Sequence, residues 1–159
     1  MAIINRTPDS FYDKGRTFGL EQAVPAAHAA VADGADWVDV GGVPFAPGPD
    51  VSAEQEIDRV VPVIEALQSH MGTVISVDTF RPEVALRSIR AGAHVINDTS
   101  GLRDLAMARV VADSAATLVV THSVSAPRTA MNRGCVAPRA WARGAAHTRR
   151  RVRPAWPHA

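Results

Sequence analysis

Thr73-Val74-Ile75-Ser76-Val77-Asp78-Thr79 is a run of β-branched apolar residues that stops abruptly at a carboxylate, and its reading decides the fold. A short apolar run bounded by polar turns fits a strand buried on both faces, the situation of a parallel sheet covered by helices. About one βα unit later, His94-Val95-Ile96-Asn97-Asp98 repeats the pattern with an amide near its end. A polar side chain at the end of such a strand points into the crevice where α/β proteins bind ligands. Asp78 and Asn97 are therefore the first candidate site residues.

Working outward, Met1-Ala2-Ile3-Ile4-Asn5 reads as a first strand, with the chain starting already inside it. Arg6 to Gly19 is a loop rich in turn formers, carrying Phe11, Tyr12 and Phe18 as anchors or as a lid. Val24, Ala27, His28 and Val31 recur at helical spacing over Leu20 to Asp33, with Gly34 placed to end that helix. Trp37-Val38-Asp39-Val40 is a second strand running into Gly41-Gly42. Ser52 with Gln55 forms a capping box for a helix whose apolar stripe is Ile57, Val60, Val61, Ile64 and Leu67. Pro62 is expected to kink it, since proline removes a backbone donor and crowds the preceding turn.

Pro82 suits a first helical turn, Val84 to Ile89 carry an apolar face, and Gly92 closes that helix. Asp104 is placed to cap a helix burying Met107, Val110 and Val111, and Thr117 to Thr121 make a fifth strand ending at His122. Five strands alternating with four helices imply a parallel sheet with right-handed crossovers. Asn5, Asp39, Asp78, Asn97 and His122 all stand at strand ends, and no G-x-G-x-x-G follows the first strand. Polar groups from several strand ends favour a partial (β/α)8 TIM-type barrel, of about five βα units, over a doubly wound sheet. A chain of 159 residues is short for eight such units.

The charge balance divides the chain. Met1 to His122 carries 9 Lys/Arg against 16 Asp/Glu, a balance of −7, whereas Ser123 to Ala159 has 8 Arg and no acid, a balance of +8. The expected organisation is a folded unit over 1–122 and a basic, Arg-rich C-terminal tail over 123–159 that is disordered. That tail reads as a solvated segment, a nucleic-acid arm that neutralises phosphates, or the product of a shifted reading frame. The single cysteine, Cys135, excludes a disulfide framework. No apolar run approaches ~20 residues and no secretory signal opens the chain, so cytoplasm without membrane attachment is expected.

Asn5-Arg6-Thr7-Pro8-Asp9-Ser10-Phe11, Asp39-Val40-Gly41-Gly42 with Pro47-Gly48, Ser76-Val77-Asp78-Thr79 and Ile96-Asn97-Asp98 resemble the successive strand-end motifs of the dihydropteroate synthase family. They occur in the family's order and at its spacing over residues 1 to 122. The resemblance implies a homodimeric (β/α)8 barrel of folate synthesis, a transferase. Its family condenses 6-hydroxymethyl-dihydropterin pyrophosphate with p-aminobenzoate, releases pyrophosphate and uses Mg2+ carried on that pyrophosphate. By motif position, Asn5 would hold the metal–pyrophosphate unit, Asp78 and Asn97 would read the pterin edge, and Pro47 would lie near p-aminobenzoate. The related pterin domains of corrinoid methyltransferases and a non-catalytic pterin-binding role are the alternatives, with nucleic-acid association through the tail a third. Asp39, Asp98 and His122 read equally well as structural.

Two departures bear on activity. The family's second loop reads Gly-Gly-Glu-Ser-Thr-Arg-Pro-Gly, but here Phe45 stands at the Thr position and Ala46 at the Arg position. Losing a hydroxyl and a cation beside a pyrophosphate weakens both binding and charge stabilisation. The family's later motifs, a further Asp, a Ser-Arg-Lys cluster and an Arg-x-His pair, are missing after the fifth strand. The expectation is a truncated homologue, inactive or severely impaired.

Overall fold

The computed structural model describes residues 1–7, 19–44, 48–68 and 72–122. Its elements are β1 (Ala2–Asn5), α1 (Leu20–Ala32), β2 (Trp37–Gly41), α2 (Ala53–Leu67), β3 (Val74–Asp78), α3 (Pro82–Arg90), β4 (Val95–Asp98), α4 (Ala106–Ala112) and β5 (Thr117–Val120). Most of the first loop with its aromatic residues, the second-loop residues Phe45, Ala46 and Pro47, and the segment 123–159 lie outside the described residues.

The strands are all parallel and hydrogen-bonded in the order β1-β2-β3-β4-β5. A doubly wound sheet reverses its strand order at a switch point and carries helices on both faces. Here every crossover advances by one strand in one direction, so right-handed connections bring all the helices to one side. Successive helices accordingly pack against each other, α1 on α2, α2 on α3 and α3 on α4. This is barrel-type topology, as the strand-end pattern implied.

The period-two pleat divides each strand between two environments. Ile4, Val38, Val40, Ile75, Val77 and Ile96 point to the helices and share one core with Val60, Val63, Ile64, Leu67, Val84 and Met107. The alternate residues, among them Ile3, Asn5, Asp39, Ser76, Asp78, Asn97 and Val119, face the other way in register. Ile4 is 4% exposed, whereas Ile3 beside it is 50% exposed and Val119 is 38% exposed. The inner face is therefore not closed over by the described residues.

Helix faces differ in detail from the expected stripes. The capping box at α2 forms in full, with Gln55 N donating to Ser52 Oγ at 3.1 Å and Ser52 N to Gln55 Oε1 at 2.9 Å. α2 continues unbroken through Pro62 to Leu67. Its buried residues are Glu56, Val60, Val63, Ile64 and Leu67, while Ile57 and Val61 lie at the margin. On α1 the fully buried positions are Ala23 and Ala27, not Val24, His28 or Val31, because small side chains let that helix lie close to the layer beneath.

Gly42 shows the same demand for close approach. A methyl group on it would lie 2.9 Å from Val60 Cγ1 and 3.2 Å from the Glu56 carbonyl oxygen. The turn after β2 is thus pressed onto α2, where Arg59 Nη1 also donates to the Gly42 carbonyl at 2.8 Å. Gly42→Ala is expected to destabilise the protein by about 1–3 kcal/mol in urea unfolding, the usual range for overpacking. An unchanged midpoint would show that the turn can lift away from α2.

Candidate active site

Parallel pairing places Asn5 opposite Gly41, Gly41 opposite Asp78, and Asp78 opposite Asn97. With strands about 4.8 Å apart, these four positions form one row across the C-terminal edge of the sheet. All belong to the inner face, so the strands rather than the loops set their direction. Gly41 leaves a notch in the row. A methyl group there would sit 3.3 Å from Asn5 Oδ1 and 3.9 Å from Asp78 Cβ. Three of the four expected site residues, Asn5, Asp78 and Asn97, are therefore brought together, while Pro47 is not among the described residues.

Backbone bonds beyond the strands hold this edge in place. Arg6 N donates to Gly41 O at 2.7 Å, Thr79 N to Asn97 O at 3.2 Å, and Thr121 N to Asp98 O at 2.9 Å. Asp78 does not cap the helix that follows it. The N-cap of α3 is Arg81, with no side-chain cap, and the local turn is made instead by Arg81 N donating to Thr79 Oγ1 at 3.2 Å. The carboxylate of Asp78 remains on the inner face, where Thr99 Oγ1 donates to its Oδ1 at 3.0 Å. Asn97 Nδ2 donates to Asp39 Oδ2 at 3.5 Å, and Asp39 Oδ1 is buried without a hydrogen-bond partner among the described residues.

The electrostatics follow from crowding acids where water is scarce. Burial, followed by the negative charge of Asp39, pushes the Asp78 carboxyl up to about 7. Glu56 and Asp98 push in the same direction, and the Thr99 hydroxyl pulls against them. At neutral pH Asp78 is thus present in both forms, one a pure acceptor and the other able to donate. Behind the row, Glu56 is buried completely and its carboxyl is also raised by burial, opposed by Thr79 and Arg81. Arg81 pairs with Glu56 and donates from Nη2 to Val51 O at 2.6 Å, tying the β3–α3 turn to the start of α2. Asp98 accepts from Ser100 N at 2.7 Å and from Ser100 Oγ at 2.6 Å, which shapes the next turn.

Sequence reasoning did not single out Gly41, Thr99 or Glu56. The Gly-Gly pair was a signal for the notch, but nothing local marks Thr99, whose role appears only when β4 is laid beside β3. A separate cavity bordered by Leu67, Ile75, Ile89, Ala93, His94 and Ala116 opens at the opposite, N-terminal end of the strands. It is remote from the polar row.

Comparison with known proteins gives a consistent result. A model of the pterin binding enzyme family matches residues 1–151. The chain is 55% identical over 131 residues to a Mycobacterium leprae protein named inactive dihydropteroate synthase 2, covering 81% of this chain and 45% of that one. Among solved structures, Yersinia pestis dihydropteroate synthase in a sulfonamide drug complex superposes with a TM-score of 0.74 at 39% identity, over 80% of this chain and 46% of that chain. The Burkholderia cenocepacia dihydropteroate synthase complexed with 7,8-dihydropteroate gives 0.68 at 33% identity, over 80% and 42%. The chain thus spans a little under half the length of these relatives.

The raised Asp78 carboxyl has a direct consequence for stability. Its folded value lies above the ordinary 3.8, so its contribution is full below the unfolded value and is lost as pH rises through about 7. Urea unfolding of the wild type should therefore show stability falling between pH 4 and pH 8, and Asp78→Asn should flatten that fall. Identical pH profiles for the two proteins would show that Asp78 is well solvated.

Proposed function

This chain belongs to the pterin binding enzyme family, and from that premise we propose that it holds a reduced pterin on the row Asn5, Asp78 and Asn97, with severely impaired dihydropteroate synthesis. The observation that carries this reading is the register itself. Residues far apart in sequence meet as one polar row beside a glycine notch on the inner face of the sheet. A pterin presents ring N–H and amino donors next to ring-nitrogen acceptors. An ionised carboxylate only accepts, while an amide both accepts and donates, so Asp78 and Asn97 suit that mixed edge. Burial makes any unpaired group costly, which converts these bonds into specificity.

Magnesium enters this reading as part of the pyrophosphate substrate. No group of three or more His, Cys, Asp or Glu residues able to hold a metal exists among the described residues. A magnesium ion held chiefly by phosphate oxygens needs few protein ligands, and the amide oxygen of Asn5 beside the notch is of the right chemical kind. Bound this way, the ion would neutralise charge on the departing pyrophosphate. Asn5 would orient the leaving group, Asp78 and Asn97 would fix the ring, and Pro47 would border p-aminobenzoate.

Impairment follows from the second loop. Phe45 and Ala46 supply neither the hydroxyl nor the cation that the family places there, so developing negative charge loses two stabilising groups. Binding does not depend on those groups to the same degree, because the ring is read from the strand ends.

Calorimetry with 6-hydroxymethyl-7,8-dihydropterin at pH 8 should give a saturable binding heat, and Asp78→Ala should weaken it by about tenfold to a hundredfold, the worth of a hydrogen bond to a charged group. If the ionised form binds, affinity should be about tenfold lower at pH 6 than at pH 8, in proportion to the competent fraction. Absence of heat from the wild type, or unchanged affinity in Asp78→Ala, would overturn the pterin reading. Rapid formation of dihydropteroate from the pyrophosphate and p-aminobenzoate would overturn the impairment.

A further inference from the structure

Asp39 is the residue of the inner face that the proposed function leaves unused. It lies one pleat below Gly41 on β2, is 6% exposed, and has one carboxylate oxygen buried without a hydrogen-bond partner among the described residues. Its other oxygen accepts from Asn97 Nδ2 at 3.5 Å. A carboxylate facing an amide admits one orientation, because only the amide nitrogen carries hydrogens. Asp39 thereby determines which end of the Asn97 side chain is turned inward and which is turned toward a ligand.

We propose that Asp39 is a positioning residue for Asn97: it takes one amide hydrogen and so fixes the order of acceptor and donor that Asn97 presents to a heterocycle. This deepens the pterin reading and rests on it for the identity of the ligand. The contact itself is a property of the free protein. With the amide held, the carbonyl oxygen of Asn97 is available to a ring N–H and the remaining amide hydrogen to a ring acceptor. A ring with that order reversed would meet acceptor against acceptor, so Asp39 contributes to selectivity without touching the ligand.

Asp39 acts on the second ring-reading residue as well. Its charge is the first electrostatic influence on Asp78 after burial itself. The other groups acting on Asp78 are Glu56 from α2, Asp98 from β4 and the Thr99 hydroxyl, with Arg81 paired to Glu56 behind them. Removing the Asp39 charge leaves all of these in place.

The test compares wild type with Asp39→Asn, which is close in size and lacks the charge. In ligand-free protein, the side-chain NH2 resonances of Asn97, assigned by their loss in Asn97→Ala, should shift in Asp39→Asn while those of Asn5 stay in place. The Asp78 carboxyl should titrate at lower pH in the variant. At pH 8, where Asp78 is mostly ionised in both proteins, affinity for 6-hydroxymethyl-7,8-dihydropterin should fall by about tenfold. Should Asp39→Asn fail to fold, Asp39→Ser, which also removes the charge, supplies the same comparison. Unchanged Asn97 resonances with an unchanged Asp78 titration would overturn the proposal. A wild type with these NMR couplings and no dihydropterin binding would refute the pterin reading while leaving the Asp39–Asn97 coupling standing.

Discussion

Hydrogen bonds between parallel strands are the constraint on which the rest of the molecule depends. They fix Asn5, Gly41, Asp78 and Asn97 at one level across four strands. Because the side-chain period of a strand is two, the same bonds send Ile4, Val40, Val77 and Ile96 to the helix side. A slip of one residue in any strand would place an apolar group in the polar row and a polar group in the core. The burial of the helix layer therefore selects the register, and the register assembles the site. No loop has to be ordered for the central residues to meet.

That assembly carries an electrostatic cost. Asp39 and Asp78 share the inner face, and Glu56 and Asp98 lie close behind it. Arg81 answers Glu56, and the Thr99 hydroxyl answers Asp78 in part. The pressure left on Asp78 is seen in its carboxyl being raised to about 7. Groups gathered in this way destabilise the free protein, and under the proposed function a ligand rich in N–H donors would satisfy acceptors already desolvated. The absence of a side chain at Gly41 keeps the space between Asn5 and Asp78 clear.

Much of this arrangement is legible in the amino-acid sequence itself. Apolar runs ending at Asn5, Asp78 and Asn97 are local signals, and the sequential strand order follows from strands alternating with helices. The capping box at Ser52 and Gln55 was equally plain, because its partners are three residues apart. What escaped were features set by distant contacts. Glu56 sits in the first turn of α2, where an acid is normally a solvated partner of the helix dipole, and it is buried only because Arg81 comes from another turn to meet it. Val63 is fully buried and Val61 lies at the margin, because several apolar positions of α2 fit a helical period and only packing decides which of them face the sheet. Asp39 reads as structural or functional alike in the sequence, because its contact with Asn97 joins residues 58 positions apart.

Asp39 and Asn97 also report on the curvature of the sheet. They belong to β2 and β4, with β3 between them, so in a flat sheet their strands would run about 10 Å apart. Yet Asp39 Oδ2 and Asn97 Nδ2 are 3.5 Å apart, with the side chain of Ser76, paired with Asp39 on β3, small enough to be bridged. Two short side chains span that gap because both lean inward over a concave surface. The curl that barrel topology imposes on parallel strands is in this sense a component of the site. Relaxation of that curl would separate Asp39 from Asn97 while leaving the outward-facing valines and isoleucines packed on their helices. Orientation of the amide therefore depends on how tightly the sheet is bent.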